Sequence, residues 1–381
     1  MPQSRSFQVD CQHRVAFTRD VFDPANPALA EVLSQSAERR LIAFVDEGVA
    51  HTHPDLGTRL EQYLATRTHA GEALPSLRMI EVVPGGEASK NSMSVAQQVL
   101  AATDLHGIDR KSFVLAIGGG AVLDAVGFGA TIAHRGVRLI RLPTTTLAMD
   151  DAAMGVKNGI NHFGKKNFIG TFAVPWAVIA DELFLHTLTD RHFLSGFSEA
   201  VKIACLKDPA LFDAIERDAS RIRARDYSAA MPIIARSATL HLDHITQSGD
   251  PFELCEARPL DFGHWAAHKL ESLSDYAITH GEAVAIGIAL DCEYAVLSHL
   301  LDAEIAARIR NCLHALALPT WHPLLMRVDH LAQGLEEFRE HLGGQLTVTH
   351  LRSMGSASEV HEIDHAILAA AAAALAPRAS P

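Results

Sequence analysis

Residues 257–301 read ARPLDFGHWAAHKLESLSDYAITHGEAVAIGIALDCEYAVLSHLL, and their apolar spacing predicts two helices that carry three histidines. His264 and His268 are four residues apart, so a helix would present both on one face. His280 precedes a Gly-Glu pair and an apolar run, as expected of a residue that opens a helix. Neutral imidazoles bind Zn²⁺ well, and a carboxylate commonly completes such a site. With 22 histidines in the chain, a single pair at this spacing is more often an ordinary surface or core pair.

A distant glutamate extends the pattern. GHxxxH and HGEAVAIG follow Glu199, which lies in the segment SEAVK, residues 198–202. This combination resembles the metal-binding half of the dehydroquinate synthase superfamily, the sugar phosphate cyclases. The resemblance implies that Glu199, His264 and His280 bind a divalent metal, Zn²⁺ or else Co²⁺, and that Lys202 is a substrate cation. A Glu–Lys pair three residues apart is also an ordinary helix-stabilising pair, so only the surrounding pattern favours chemistry.

Composition sets the broad class. The chain has 381 residues, enough for two domains, and its formal charge of −12 argues against nucleic acid as the main partner. Five cysteines form no CxxC pair, which favours reduced thiols over a disulfide framework. The first residues lack an apolar signal segment, and no apolar run reaches the length of a membrane span. These features predict a cytoplasmic protein with no membrane segment.

The first half of the chain alternates strands with helices. Short apolar runs at 40–46, 77–83, 112–117 and 137–142 predict strands, and residues 92–106 and 121–133 predict helices between them. Such alternation predicts a parallel sheet with ligands at the carboxyl ends of its strands. After about residue 181 helical spacing takes over. We therefore expect an α/β nucleotide-binding domain at 1–181 and an all-α metal- and substrate-binding domain at 182–381.

A glycine turn follows the third predicted strand. Gly118, Gly119 and Gly120 lead into AVLD, which is neither GxGxxG nor a P-loop. Consecutive glycines let backbone N–H groups approach a pyrophosphate at a helix N-terminus, although a purely structural turn is an equal alternative. The resemblance implies that NAD binds here. The residues it implies for NAD are Asp46, Glu87, Lys90, Gly119, Gly120, Asp124, Thr144, Thr145, Lys166 and Thr187.

Lysines and an asparagine cluster in the loops at 144–170. The family resemblance implies that Asp151 and Lys157 face the substrate and that Asn167 contacts the sugar. It also implies that the phosphate is held by Lys157, Lys202 and Arg135 with Asn167 and His268, and that Arg135 reaches the neighbouring site of a homodimer. Lysines are usually solvated, but these lie in Gly- and Asn-rich loops, where binding residues concentrate.

The chain departs from dehydroquinate synthases where those enzymes hold the substrate carboxylate. By the resemblance they carry a lysine upstream of the first metal histidine, whereas this chain has no lysine between Lys207 and Lys269. Arg258 is one residue out of register, and Asp261 replaces an asparagine. The usual C-terminal phosphate lysine is also missing, with Arg339 or His341 as its replacement. A carboxylate without charged partners would cost several kcal/mol of binding, so the expected substrate lacks one.

These features resemble most the EboD-like and sedoheptulose 7-phosphate cyclase side of the superfamily. Epi-valiolone synthases tend to have a proline where this chain has His268, so the substrate stays open among heptulose 7-phosphates. The implied reaction oxidises a ring hydroxyl with NAD⁺, eliminates phosphate, returns the hydride and closes a carbocycle. The alternatives are an authentic 3-dehydroquinate synthase, a glycerol-dehydrogenase-like alcohol dehydrogenase, or a non-catalytic relative that binds without turnover.

Overall fold

The computed structural model describes residues 3–377 apart from residues 7, 35–38, 164, 248–251 and 253–258. The chain forms two compact units. Unit 1 comprises Met1–Thr144 and Gly155–Thr187, and unit 2 comprises Thr145–Met154 and Leu188–Pro381. The assignment of NAD to residues 1–181 and of the metal to residues 182–381 stays a prediction.

Unit 1 alternates strands and helices, as the apolar runs predict. Its elements are β1 (Val15–Thr18), α1 (Ala28–Leu33), β2 (Arg40–Asp46), α2 (Glu47–Thr52), α3 (Leu56–His69), β3 (Ser76–Val83), α4 (Ser94–Leu105), β4 (Phe113–Gly118), α5 (Gly120–Ile132), β5 (Arg138–Pro143), β6 (Lys157–His162), β7 (Lys165–Phe172), β8 (Ala177–Asp181) and α6 (Glu182–Leu185).

Six strands of unit 1 form a parallel sheet in the order β1-β8-β5-β4-β2-β3. The parallel α/β prediction is confirmed. Every residue of β4 is buried, because helices cover both faces of such a sheet. Gly118 pairs with Pro143, and Val45 pairs with Ile117, so β2, β4 and β5 end at one edge. This edge brings the predicted NAD residues of three loops together.

Two edge regions of unit 1 differ from the sequence prediction. β1 and β8 complete the sheet, although no strand is predicted for either. β6 and β7 form an antiparallel hairpin where loops are predicted. Their sequences are rich in Gly, Asn and Lys, so strand formation here depends on the pairing partner more than on local preference.

Unit 2 is helical. Its elements are α7 (Asp190–Ser195), α8 (Phe197–Lys207), α9 (Pro209–Arg223), α10 (Tyr227–Gln247), α11 (His264–Leu273), α12 (His280–Leu297), α13 (Ala303–Ala315), α14 (Val328–His341), β9 (Val348–Ser353), β10 (Ser356–Val360) and α15 (His365–Ala374), with a π-helical turn at Ala148–Ala152. The helical class is confirmed. One antiparallel hairpin, β9–β10, departs from the all-α prediction. Val348 to Leu351 of β9 are four consecutive buried residues, a pattern without the spacing of an amphipathic helix. Among the described helices none has the length and apolar character that spanning a membrane requires.

Two helices form the centre of unit 2. α8 is buried at every residue from Phe197 to Leu206, so the Glu and Lys in it must be satisfied inside the protein. α12 begins with a capping box, in which Thr279 and Glu282 bond to each other's backbone N–H groups. α11 packs against α12. These helices place the histidine motifs next to Glu199.

Candidate metal and cofactor sites

Glu199, His264 and His280 come together in unit 2. Their ligand atoms all lie within 4.8 Å of one another. Glu199 Oε1 is 3.4 Å from His264 Nε2 and 3.6 Å from His280 Nε2. Glu199 is 2 % exposed, and its Oε1 accepts no hydrogen bond from any described residue. A buried carboxylate oxygen that faces two imidazoles in this way fits a divalent cation, which would bind all three groups.

Each of the two histidines turns its Nδ1 towards an oxygen acceptor. His264 Nδ1 lies 3.1 Å from the carbonyl oxygen of Phe262, and His280 Nδ1 lies 3.1 Å from Glu271 Oε2. When Nδ1–H donates to these oxygens, Nε2 keeps its lone pair for a metal. Glu271 is 3 % exposed and is absent from the sequence prediction. Its position seven residues after His264, on the same helix face, is the signal that could have found it.

His268 lies beside the cluster. Its ring stacks on His280 with centroids 5.9 Å apart, and its side chain is exposed. His268, Glu271 and His280 also come within ligand distance of one another. A neutral His280 cannot serve both groups, because only one of its nitrogens carries a lone pair. The buried oxygen of Glu199 favours the first group as the metal site and leaves His268 at its border.

A chain of buried charges continues from Glu199. Lys202 is in contact with Glu199 Oε2 and is 3.7 Å from Asp151 Oδ1, which lies 3.0 Å from His241 Nδ1. Burial opposes ionisation of Glu199, but the Lys202 ammonium outweighs it and holds the pKa of that carboxyl at about 2. The pKa of Asp151 is likewise held well below its usual value, because Lys202 and His241 outweigh its burial. The site therefore keeps two carboxylates ionised inside the protein.

Asp150 has the opposite character. It is 1 % exposed, and neither carboxylate oxygen has a hydrogen-bond partner among the described residues. Burial, with added repulsion from Glu199 and Asp151, raises its pKa well above the usual value. Its surroundings therefore favour the protonated form of Asp150, next to carboxylates that favour the ionised form, and spacing along the sequence does not reveal this contrast.

The predicted NAD residues of unit 1 form a polar network. Lys90 Nζ donates to Asp124 Oδ2 at 2.6 Å and also to Asn167 Oδ1. Glu87 Oε1 accepts from Asn161 at 2.8 Å and lies 3.8 Å from Lys166 Nζ. The structure thus brings together Glu87 and Lys90 of a 3₁₀ turn, Asp124 of α5, and Lys166 and Asn167 of β7. Asn167 joins them with a left-handed backbone, at φ 52°.

The glycine turn lies at the start of α5. Gly119 is the N-cap residue, and no side chain caps this helix end. The first N–H groups of α5 are therefore open to an anion such as a pyrophosphate. A Cβ on Gly118 would lie 3.0 Å from the Asp46 Cβ, so the turn also packs tightly on the end of β2. Thr144 is buried at the end of β5, and its N–H donates to Gly118 O at 3.0 Å.

The remaining predicted residues have other hydrogen-bond partners or surroundings. Thr187 contacts His53 Nε2 at 3.0 Å, and Thr145 belongs to unit 2, where its hydroxyl accepts from Ala148 N at 3.1 Å. Asp46 accepts from Gly48 N and caps α2. Lys157 is exposed at the start of β6. Arg135 lies in a turn whose residues His134, Arg135 and Gly136 all have positive φ.

Arg258 and Asp261 are predicted near the carboxylate site of the family, and Arg339 or His341 is predicted to replace its phosphate lysine. Arg258 lies outside the described residues, and so does the side chain of His341. Arg339 pairs with Glu336 on its own helix, at 2.7 Å, and donates to Gly344 O. Asp261 lies in a 3₁₀ turn just before α11.

Arg141 is a buried cation that the sequence prediction misses. It is 0 % exposed in the middle of β5, and burial lowers its pKa to about 10. It donates to Gly155 O at 2.7 Å, to Lys157 O at 3.0 Å and to Asn158 Oδ1 at 2.7 Å. Arg141 therefore anchors the start of the β6–β7 hairpin, which carries Lys157 and Asn167. The signal was an arginine inside an otherwise apolar strand.

Comparisons with known proteins find relatives that match most of the chain. The family described as 3-dehydroquinate synthase N-terminal matches residues 80–195, and 3-dehydroquinate synthase C-terminal matches residues 196–339. A 2-epi-5-epi-valiolone synthase of Streptomyces glaucescens is 33% identical over 93% of this chain and 88% of its own length. A 3-dehydroquinate synthase of Xanthomonas campestris is 33% identical over 77% of this chain and 81% of its own. The solved 2-epi-5-epi-valiolone synthase of Streptomyces hygroscopicus, with NAD⁺ and Zn²⁺ bound, is 29% identical, has a TM-score of 0.88, and covers 98% of this chain and 99% of its own.

Proposed function

Because this chain belongs to the 3-dehydroquinate synthase family of sugar phosphate cyclases, we propose that it converts a heptulose 7-phosphate without a carboxylate into a carbocycle, with loss of phosphate. NAD and one divalent metal, Zn²⁺ or Co²⁺, are its proposed cofactors. The observation that carries the proposal is the buried Glu199 oxygen that faces His264 Nε2 and His280 Nε2 beside Lys202. A protein that only bound a sugar phosphate would have no need of this cluster.

Glu199, His264 and His280 are the proposed metal ligands. A metal bound there supplies Lewis acidity for a substrate hydroxyl and for the ketone derived from it. Three protein ligands leave positions for a substrate oxygen, as catalytic zinc sites require. Glu271 and the Phe262 carbonyl keep both imidazoles turned with Nε2 towards Glu199.

The NAD site is proposed at the start of α5. Its open N–H groups and the helix dipole favour the pyrophosphate, and Lys90 and Asp124 lie within one network close by in unit 1. NAD supplies hydride acceptance and return. Asp46, Glu87, Thr144 and Lys166 complete the proposed site, and Thr145 and Thr187 remain proposals with weaker support from their contacts.

Lys202 and Asp151 are proposed to hold charged and polar groups of the substrate. Lys202 stays protonated because Glu199 and Asp151 both face it, so its ammonium can hold a phosphate or stabilise an enolate oxygen. Asp151 is ionised and bonded to His241, and can accept a hydrogen bond from a substrate hydroxyl. Lys157, Asn167, Arg135 and His268 are the further groups proposed for the phosphate.

The proposal that the substrate lacks a carboxylate depends on the residues before α11. α10 carries His241 and His244 in the region where the family lysine is expected, and His241 is engaged by Asp151. Burial lowers the pKa of His244 to about 4, so this imidazole is neutral at pH 7 and offers no charge to an anion. A carboxylate placed beside His244 would therefore gain no charge-assisted hydrogen bond from that imidazole.

Phosphate release from two substrates tests the proposal. Sedoheptulose 7-phosphate should turn over with catalytic NAD, whereas 3-deoxy-arabino-heptulosonate 7-phosphate should be poorer by one to several orders of magnitude. Each lost charge-assisted pair costs about 1.5–3 kcal/mol, and about 1.4 kcal/mol is a factor of ten. Efficient turnover of the carboxylated substrate alone would make the chain an authentic 3-dehydroquinate synthase, the alternative that the Xanthomonas relative favours. Net NADH release without phosphate would indicate an alcohol dehydrogenase.

A homodimer is the proposed assembly. Phe163, Phe168 and Phe172 of the β6–β7 region are 77%, 53% and 47% exposed, which is unusual for neighbouring aromatic residues. The left-handed turn that carries Arg135 is a strained feature of the kind found at functional sites. Light scattering of the protein and of Phe168→Glu tests this, and a monomeric wild type would contradict it.

A further inference from the structure

Asp291 is a buried acid in α12, directly after the apolar run Ala283–Leu290. It is 1 % exposed, and both of its oxygens accept hydrogen bonds from the start of α11. Asp291 Oδ2 accepts from the Gly263 N–H at 2.8 Å, and Oδ1 accepts from Trp265 Nε1 at 2.9 Å. These donors belong to the residues immediately before and after His264. One carboxylate of α12 therefore holds the chain on both sides of a proposed metal ligand on α11.

Close packing reinforces this contact one helical turn earlier. A Cβ on Gly287 would lie 2.0 Å from the Gly263 carbonyl oxygen, so only glycine fits there. Gly263 has φ 79°, which also favours glycine. Gly287 and Asp291 are four residues apart and share one face of α12. The backbone of Gly263 is thus pressed against α12 at Gly287 and hydrogen-bonded to it at Asp291.

We propose that Asp291 is a positioning residue for the metal site, acting on His264 through Trp265 and Gly263. The inference rests on the proposed metal ligands. It completes a reciprocal arrangement: α11 carries His264 and the carboxylate of Glu271, which bonds to His280 of α12. α12 carries His280 and the carboxylate of Asp291, which holds the residues around His264. Each helix supplies one ligand and orients the ligand of the other.

Metal affinity of three variants tests this, with Zn²⁺ measured by chelator competition and Co²⁺ by its visible absorption. In Asp291→Asn the new amide N–H₂ must face one of the two donors, so His264 should shift. Residues that orient metal ligands typically change metal affinity 10–100-fold when replaced, and we expect that loss here with an altered Co²⁺ spectrum. Trp265→Phe should weaken binding by a smaller factor, because one oxygen of Asp291 then loses its donor.

The double variant Trp265→Phe with Asp291→Asn separates positioning from general damage. Trp265→Phe removes the indole N–H. The amide that Asp291→Asn introduces can then place its N–H₂ where the indole N–H was, and its oxygen can still accept from the Gly263 N–H. The double variant should therefore bind metal better than the product of the two single effects predicts. Strictly multiplicative effects would overturn the proposed path through Trp265.

Asp302→Ala is the matched control. It removes the hydrogen bond from the Glu304 N–H to the N-cap side chain of α13, in the same unit. It does not change the hydrogen bonds that Asp291 and Glu271 make between α11 and α12. It should lower stability but leave metal affinity and the Co²⁺ spectrum unchanged. Unchanged affinity in Asp291→Asn would overturn the inference while the ligand set stood. Failure of the wild type to bind metal, or full metal retention by His264→Ala, would instead overturn the proposed metal site.

Discussion

Lys202 shows how a single buried cation sets the charge of its surroundings. It is 3 % exposed and faces both Glu199 and Asp151. Without it, two ionised carboxylates would share a buried space and lose the cation that lies against both of them. In the absence of metal, Lys202→Met should lose about 3–5 kcal/mol of unfolding free energy, as breaking a buried ion pair does. Denaturant unfolding with a chelator present measures this.

Added Zn²⁺ should restore more stability to Lys202→Met than it adds to the wild type. A divalent cation bound to Glu199 replaces part of the charge that the variant has lost. An equal gain in both proteins would show that Glu199 is not a metal ligand. The neutral, similarly long methionine keeps the volume of the lysine stem, so packing changes little.

At the residue scale the sequence names the proposed metal ligands, but it does not name the residues that hold them in place. Glu199, His264 and His280 lie in motifs, so spacing and resemblance suffice to name them. Glu271, Asp291 and Arg141 act across helices or strands, and their partners depend on tertiary packing. An acid directly after the apolar run of α12 is a usable signal for Asp291, but only the structure shows that its donors flank His264.

The β6–β7 hairpin depends on one arginine of the neighbouring strand. Arg141→Met removes the donor for the Gly155 and Lys157 carbonyls and for Asn158 Oδ1. Leaving the buried Asn158 Oδ1 unpaired costs about 1–3 kcal/mol, and the two partly buried carbonyls add to this cost, so residues 155–172 should open more often. Hydrogen exchange should speed up in these residues and stay unchanged in α11 and α12. Uniformly faster exchange throughout the chain would contradict a local anchoring role.

The β9–β10 hairpin makes unit 2 sensitive to acid. His350 on β9 is 1 % exposed and stacks on Tyr294 of α12 with centroids 5.0 Å apart. Burial, helped by Arg352, lowers the pKa of His350 to about 4. The unfolded chain, with a pKa near 6.5, binds the proton more readily, so this contribution is present above pH 6.5 and is lost as pH falls towards 4.

His350→Phe should remove that part of the pH dependence while keeping an aromatic ring against Tyr294. Between pH 7 and pH 5 the wild type should lose about 2 kcal/mol more unfolding free energy than the variant. Urea unfolding of both proteins at the two pH values measures the difference. Identical losses would show that His350 is accessible to protons in the folded protein.

At the scale of strands and helices, apolar runs in the sequence predict the buried strands of the sheet. The apolar runs of β2, β3, β4 and β5 are found within a residue or two of their predicted bounds. β6, β7 and β9 are not predicted from the sequence. They contain many polar residues, and such segments form strands only when a partner strand supplies their hydrogen bonds. β1 is short and half-buried, so its sequence carries little signal.

For the whole molecule, the two units should respond to different ligands. Anything that binds only the folded state stabilises it, by about 2.7 kcal/mol at a hundredfold excess over the dissociation constant. Zn²⁺ alone should slow hydrogen exchange in α8, α11 and α12, and NAD alone should slow it in β4, α5 and the β6–β7 hairpin. Hydrogen exchange by mass spectrometry resolves these segments. Protection of α5 by Zn²⁺ alone would contradict the proposed division of cofactors.

The route of the chain through the units bears on how the protein is made. Residues 145–154 belong to unit 2, although the chain on either side of them belongs to unit 1. Asp151 therefore leaves the ribosome well before its partners Lys202 and His241. At roughly 5–20 residues per second, this nascent acid waits on the order of 5 to 20 s until α10 has been translated. A gene cut after Thr187 separates Asp151 from both partners, so neither translated piece can assemble the acidic cluster by itself.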